Sequence, residues 1–254
     1  MTNYFKKISI APLFLLCITA NVTAQNFSHD DFHKVISQHV TDGIVDYPAI
    51  NNSIDYHNYI TALKEKNKFH SSREELSYWI NAYNALAIKG ILDDRSPESF
   101  FGKVGYFYNA EYKVNGETIN LYNLEHDIII PLGEPRIHFA LNCASASCPK
   151  LNSTTYQPDK LEQQLEHATI SFINDKKLNQ FDMKTKTARI SKIFDWFEED
   201  FAKYSGSVQN YLALYVTDKN ISNALAANAF EIEYLEYDWS LNGIPPDTLH
   251  TEKN

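Results

Sequence analysis

Cysteine, glycine and methionine are scarce in this 254-residue chain, at three, eight and two residues. Small scaffolds stapled by disulfides use cysteine far more densely. No phosphate-cradling glycine loop, Rossmann fingerprint or Gly-x-Ser-x-Gly elbow occurs, which disfavours nucleotide chemistry. Basic residues are also in deficit, 23 Lys and Arg against 32 Asp and Glu, a formal charge of −9. Binding a polyanion relies on clustered Lys and Arg, so no nucleic acid partner is expected. Beyond the first two dozen residues no apolar run approaches the roughly 18 residues of a membrane span, so an integral membrane protein is not expected. There is no internal repeat, heptad run or low-complexity linker, and a second domain has no boundary to sit at.

What is present begins with Lys6-Lys7, an apolar run from Ile8 to Val22 broken by Pro12, and the small-residue site Val22-Thr23-Ala24. Residues 1–24 read as a secretory signal peptide, so the mature chain is expected to be exported, to a periplasm or the medium. A lipid-bearing Cys17 is disfavoured because Leu16 stands where a small residue belongs. Removing Lys6 and Lys7 takes the formal charge from −9 to −11. With 44% apolar and 13% aromatic residues the chain can bury a sizeable core, and most of its 16 tyrosines and 15 phenylalanines are expected to be core filler. A single globular domain is expected over 25–242, with a flexible tail over 243–254.

Apolar spacing predicts helices over 29–40, 54–66, 158–176, 192–204 and 208–217, with a short one near 222–228. Ser71-Ser72-Arg73-Glu74-Glu75 offers a capping box in two overlapping registers and opens the strongest helix, 74–92. Asn115-Gly116 between alternating segments predicts a tight hairpin. A short helix over 121–130, a buried strand over 137–142 and a last strand over 230–239 complete the pattern. The fold class is α+β, a helix-rich single domain with a small antiparallel sheet, for which a papain-like or transglutaminase-like arrangement is one expectation.

The chemistry-bearing residues gather in 138–149, His-Phe-Ala-Leu-Asn-Cys-Ala-Ser-Ala-Ser-Cys-Pro. Pro149 at the start of a helix would place Cys148 at its N-cap, where the thiolate is favoured. On a straight strand His138 and Cys143 would lie about 16 Å apart on opposite faces. The expected pair is therefore His138 with Cys148, reached by a turn through Ala144–Ser147. Cys143 is then a second thiol, a core residue or a disulfide partner. Glu125 and His126, about 100° apart on a helix, would face different partners, either as general base and orienter or as solvated residues. Asn81 and Asn84 sit one turn apart on an apolar helix, where a buried amide needs partners; each pins a loop or lines a site. A zinc site drawn from His126, His138, Cys143, Cys148 and Glu125 is the weaker reading, because no pair has tight ligand spacing. No cofactor is expected.

As a set, Tyr-Trp-Ile-Asn-Ala-Tyr-Asn-Ala-Leu (78–86), Asn-Leu-Glu-His (123–126), Pro-Arg-Ile-His-Phe-Ala-Leu-Asn-Cys-Ala-Ser-Ala-Ser-Cys-Pro (135–149), Ile-Phe-Asp-Trp-Phe-Glu-Glu-Asp-Phe (193–201) and Tyr-Asp-Trp-Ser-Leu-Asn (237–242) resemble the Domain of Unknown Function 547 family. The likeness covers roughly residues 43–242. It implies that Glu125, His126, Arg136, His138, Cys143 and Cys148 belong to a shared signature, and it names no reaction.

The expected function is thiol-dependent hydrolysis of a peptide, isopeptide or thiol-peptide bond. Cys148 or Cys143 attacks, His138 or His126 moves the proton, and Glu125 or Asn84 orients the imidazole. Arg136 would hold a substrate carboxylate, with Asn81 and Asn142 also at the substrate. The alternative is a non-enzymatic module that binds a small molecule or peptide, with a Cys143–Cys148 disulfide. The sequence carries no sign of the oligomeric state.

Overall fold

One long helix organises the fold of this computed structural model, which describes residues 27–246; the expected signal peptide and the last eight residues lie outside that range. Helix α4, Ser72–Leu92, buries side chains on every side, from Tyr78 and Trp79 to Leu86 and Ile91. A helix apolar all round belongs inside a protein, not on its surface. The Ser71 hydroxyl accepts the Glu74 N–H at 3.2 Å. Glu74 reaches back to the His70 N–H at 2.8 Å, so the first of the two capping registers is used, with its return bond one residue early. A Cβ at Gly90 would stand 2.6 Å from the Tyr106 ring and 2.9 Å from the Tyr112 hydroxyl, so glycine is what lets both tyrosines close on the helix. The buried tyrosines Tyr56 and Tyr106 donate to the carbonyls of Ala85 and Ala87, satisfying their polar tips inside the core.

Before α4 come α1 (Asp30–His39), strands β1 (Val40–Thr41) and β2 (Ile44–Asp46), and helices α2 (Tyr47–Asn51) and α3 (Ile54–Ala62). After it, α5 (Phe100–Lys103) runs straight into a π-helical turn, Val104–Asn109. Strands β3 (Tyr112–Val114) and β4 (Glu117–Ile119) then pair antiparallel. Their turn places Asn115 and Gly116 at φ 51° and 83°, as the hairpin reading requires. The expected helix over 121–130 is helical but irregular: α6 (Leu121–Asn123), a π-helical turn over Leu124–Ile129 and a 3-10 turn over Ile130–Leu132.

The expected strand over 137–142 is absent. Pro135–Phe139 is a 3-10 helix, with Pro135 in its first turn and the Glu134 carboxylate accepting the Arg136 N–H. Short apolar runs occur equally in buried strands and buried helical turns, and periodicity alone does not separate them. Ile137 and Leu141 join the apolar cluster around α4, whereas Phe139 joins a second cluster with Phe172, Phe194, Phe201 and Tyr211. The segment thus lies along the seam between two cores.

The second cluster is built from α7 (Leu161–Ile173), β5 (Gln180–Asp182), β6 (Thr187–Ile190), α8 (Ile193–Trp196), α9 (Glu198–Ser205), α10 (Val208–Tyr215), α11 (Lys219–Ala226) and β7 (Glu231–Tyr234). The helix expected over 192–204 breaks at Phe197 into α8 and α9. The β5–β6 hairpin had no sequence signal strong enough to expect it. The sheets are also not purely antiparallel: β6 pairs with β7, and β2 with β8 (Gly243–Ile244), in parallel. The first two residues of the expected tail therefore form a strand. No helix among the described residues is long and apolar enough to cross a membrane.

Candidate functional site

At the seam lies a cavity of about 410 Å³ whose wall includes Glu125, His126, His138, Cys143 and Cys148. Five of the nine residues singled out by sequence therefore meet in one place. Both π-helical turns contribute to the wall, Val104, Phe107 and Tyr108 from one and Glu125 and His126 from the other. Such turns recur at functional sites because they break the regular register of side chains. Tyr83 of α4, Trp196 and Phe197 at the α8–α9 break, and Tyr237 and Trp239 near the C-terminus complete an aromatic enclosure.

Side-chain amides hold the loop that carries the cysteines. Asn84 donates to the Ala140 carbonyl at 3.0 Å and accepts the Asn142 N–H at 2.8 Å. Asn142 donates to the Pro149 carbonyl and accepts from the Ala144 N–H and from Asn242. Asn81 does the same for the next segment, bonding both the carbonyl and the N–H of Tyr156. These three asparagines thus act on backbone: Asn84 orients no imidazole, and Asn81 and Asn142 do not line the cavity. In each of them both the amide nitrogen and the amide oxygen are bonded within the protein. Ala144 sits at φ 63°, an unusual conformation for alanine that fits a sharp turn pinned from both sides.

His138 is buried, with its ring stacked on Phe197 at 3.9 Å. Its Nε2 lies 2.8 Å from Oδ2 of Asp200. An ionised carboxylate only accepts, so Nε2 carries the proton and Nδ1 has a free lone pair. Nδ1 is buried without a hydrogen-bond partner among the described residues. Burial lowers the His138 pKa, opposed by its bond to Asp200, and the same bond lowers the Asp200 pKa. The pair is therefore a neutral imidazole on an anionic carboxylate. Asp200 lies in the first turn of α9, where the helix dipole favours negative charge. Sequence reasoning gave Asp200 no role although it stands in the 193–201 block, because nothing local links it to a histidine 62 positions earlier.

Cys143 and Cys148 are joined in a disulfide. The Cys143 N–H donates to Cys148 Sγ at 2.8 Å. The Tyr237 hydroxyl lies 3.3 Å from Cys143 Sγ and accepts a bond from Ser145. No helix starts at Pro149, so Cys148 is not at an N-cap; the next helix begins at Leu161. The turn of 3-10 helix and loop, not a strand, is what allows His138 and Cys143 to share one wall.

His126 directs Nδ1–H to the Tyr122 carbonyl at 3.0 Å and stacks on the Tyr122 ring. Glu125 accepts a bond from the Tyr83 hydroxyl at 3.2 Å, and burial pushes its pKa up to about 7. The two neighbours do have different partners, and neither is hydrogen-bonded to His138. Arg136 lies off the cavity. Its guanidinium is taken up by Glu134 and Glu162 at 2.6–3.0 Å, so it has no free edge for a substrate carboxylate. Among the described residues no three His, Cys, Asp or Glu side chains converge at metal-binding distances.

Residues 67–173 match the family described as "Protein of unknown function, DUF547", and this stretch of the chain belongs to it. The match runs from just before α4 to the end of α7. It takes in Tyr83, Glu125, His126, His138 and both cysteines, and stops short of Asp200 and Tyr237. No curated protein and no solved structure matches the chain.

Proposed function

We propose that this DUF547 chain is a thiol-dependent hydrolase of an amide-type bond, peptide, isopeptide or thiol-peptide, and that it is exported with its thiols paired. The observation that carries this reading is His138. One ring nitrogen is held by Asp200, the other has no hydrogen-bond partner among the described residues, and His138 shares the cavity wall with both cysteines. That is the arrangement of base and orienter that a thiol nucleophile needs. An oxidising compartment keeps such a pair closed, so an external dithiol would first reduce it, becoming a disulfide itself while Cys143 and Cys148 gain two electrons and two protons.

In the reduced form the Cys148 proton passes to His138 Nδ1, and Sγ attacks the substrate carbonyl carbon. The Cys143 N–H, already directed at Cys148 Sγ, favours the thiolate. Collapse of the adduct breaks the C–N bond, and the amine leaves with the proton from His138. Water then gives a proton to His138 and attacks the thioester, and the acid leaves as the thiol is restored. Asp200 holds the tautomer and balances the imidazolium. Alkylation of the reduced chain across pH 5 to 9, read by mass spectrometry at each cysteine, tests this. The expected result is rapid labelling of one cysteine at low pH, lost in His138→Ala and weakened in Asp200→Asn. Ordinary thiol labelling, unchanged by either substitution, overturns it.

The disulfide favours the second reading, a binding module in which Cys143–Cys148 is a permanent brace for the loop. That reading expects unaltered ligand binding after reduction and no nucleophilic thiol.

A further inference from the structure

Glu125 has no part in the chemistry above, yet it is the carboxyl group in the cavity wall. One oxygen accepts from Tyr83, and no Lys, Arg or His forms an ion pair with Glu125 among the described residues. Two aromatic groups share the wall with it. Trp196, Tyr237 and Trp239 cluster with ring centroids 4.5–5.7 Å apart. Tyr108, Tyr122 and His126 form a stack at 4.6 and 3.9 Å. The aromatic wall already takes an ammonium: Lys103 places Nζ 4.0 Å from the centre of the Trp239 ring. Ring faces attract cations, most strongly where water is excluded, and a buried carboxylate is costly until a cation pairs with it.

We propose that the cavity recognises the ammonium group of its ligand, with Glu125 as counter-ion and the surrounding aromatic rings as the cage. The substrate class is then an acyl compound bearing a primary or substituted amine. This rests on the reading that the cavity is where the substrate sits, but not on any thiol chemistry. The titratable groups facing Glu125 are Tyr83 from α4, Tyr108 from the first π-helical turn and Tyr237 from the C-terminal segment, with Tyr122, His126, His138 and Lys103 elsewhere on the wall. Burial holds Tyr83 and Tyr237 neutral across the physiological range, the pKa of the more exposed Tyr108 is also raised, and Asp200 is engaged by His138. Glu125 is thus the carboxyl group left to meet a cation.

The test is calorimetry on the unreduced full chain with butylammonium, 1-butanol and butyrate as probes. At about pH 8 butylammonium should bind roughly tenfold more tightly than 1-butanol, a difference that Glu125→Gln removes. At about pH 6, in buffers of different ionisation enthalpy, binding should release close to one proton as Glu125 ionises. This second readout uses the unmodified chain and does not depend on the variant. Equal affinity for the alcohol, preference for butyrate, or binding without proton release each overturns the proposal. Loss of ammonium preference alongside a His138-dependent thiolate would remove the ligand class and leave the hydrolase. Ammonium binding with no reactive thiol would do the reverse.

Discussion

Helix α4 and the 135–149 segment lie against each other, yet different forces hold them. α4 carries its own hydrogen-bond ladder, a serine cap and apolar side chains in every direction, so its conformation is stabilised locally and its position by burial. The 135–149 segment has one short 3-10 turn and little regular structure after it. Its backbone is satisfied by side chains, Asn84 from α4 and the segment's own Asn142, whose amide oxygen also accepts a bond from the Asn242 side chain. A buried loop has to settle its polar groups in this way or lose stability. The site sits on the second kind of structure, so its precision is borrowed from the first.

The largest break in this comparison should come from Ile80→Ala in α4, whose side chain is fully buried. Urea unfolding should show a loss of about 4 kcal/mol, spread over the whole molecule. Asn142→Ala removes three bonds from the cysteine loop and should cost about 2–3 kcal/mol. Hydrogen exchange should separate the two cases: Asn142→Ala should loosen 140–149 while α4 stays protected, and uniform loosening would show the regions to be one cooperative unit.

Glu125 gives a smaller effect of opposite sign. Its folded pKa, about 7, lies above the ordinary carboxyl value of 4.5, so between those values the native state holds a proton that the unfolded chain has lost. Stability therefore falls as pH rises from about 4.5 to about 7, and the penalty is complete above that. Glu125→Gln should abolish this slope and raise stability on the order of 2 kcal/mol above pH 7, seen in thermal melts across pH. The smallest effect sharpens the description of α4: Ser71→Ala should cost about 1 kcal/mol and fray the first turn without changing cysteine labelling.

The legible parts of the chain are those whose causes lie close in sequence. The α4 start can be read from Ser71 and Glu74, and the hairpin from Asn115-Gly116, because cap and turn chemistry act over two to four residues. The candidate residues Glu125, His126, His138, Cys143 and Cys148 were also legible, as residue types able to do chemistry. Their geometry was not. The apolar run 137–141 is compatible with a strand or a buried helical turn, and only Asn84, 58 positions from Asn142, settles which backbone groups need a ladder. Arg136 has the chemistry of an anion-binding residue, but Glu134, two positions away, and Glu162, 26 positions away, occupy its guanidinium.

The sequence by itself determined the helix-rich α+β class, the central helix and the tight hairpin, because local hydrogen bonding and apolar periodicity act along the chain, and it supplied the candidate site residues as residue types. Tertiary structure alone decided that Asp200 and not Glu125 or Asn84 holds His138, that both cysteines and both candidate histidines meet in one aromatic cavity, and that Glu125 has no ion-pair partner there among the described residues. Those outcomes depend on contacts between residues many tens of positions apart. They form only when two cores close on a common seam, and no spacing along the chain encodes that distance.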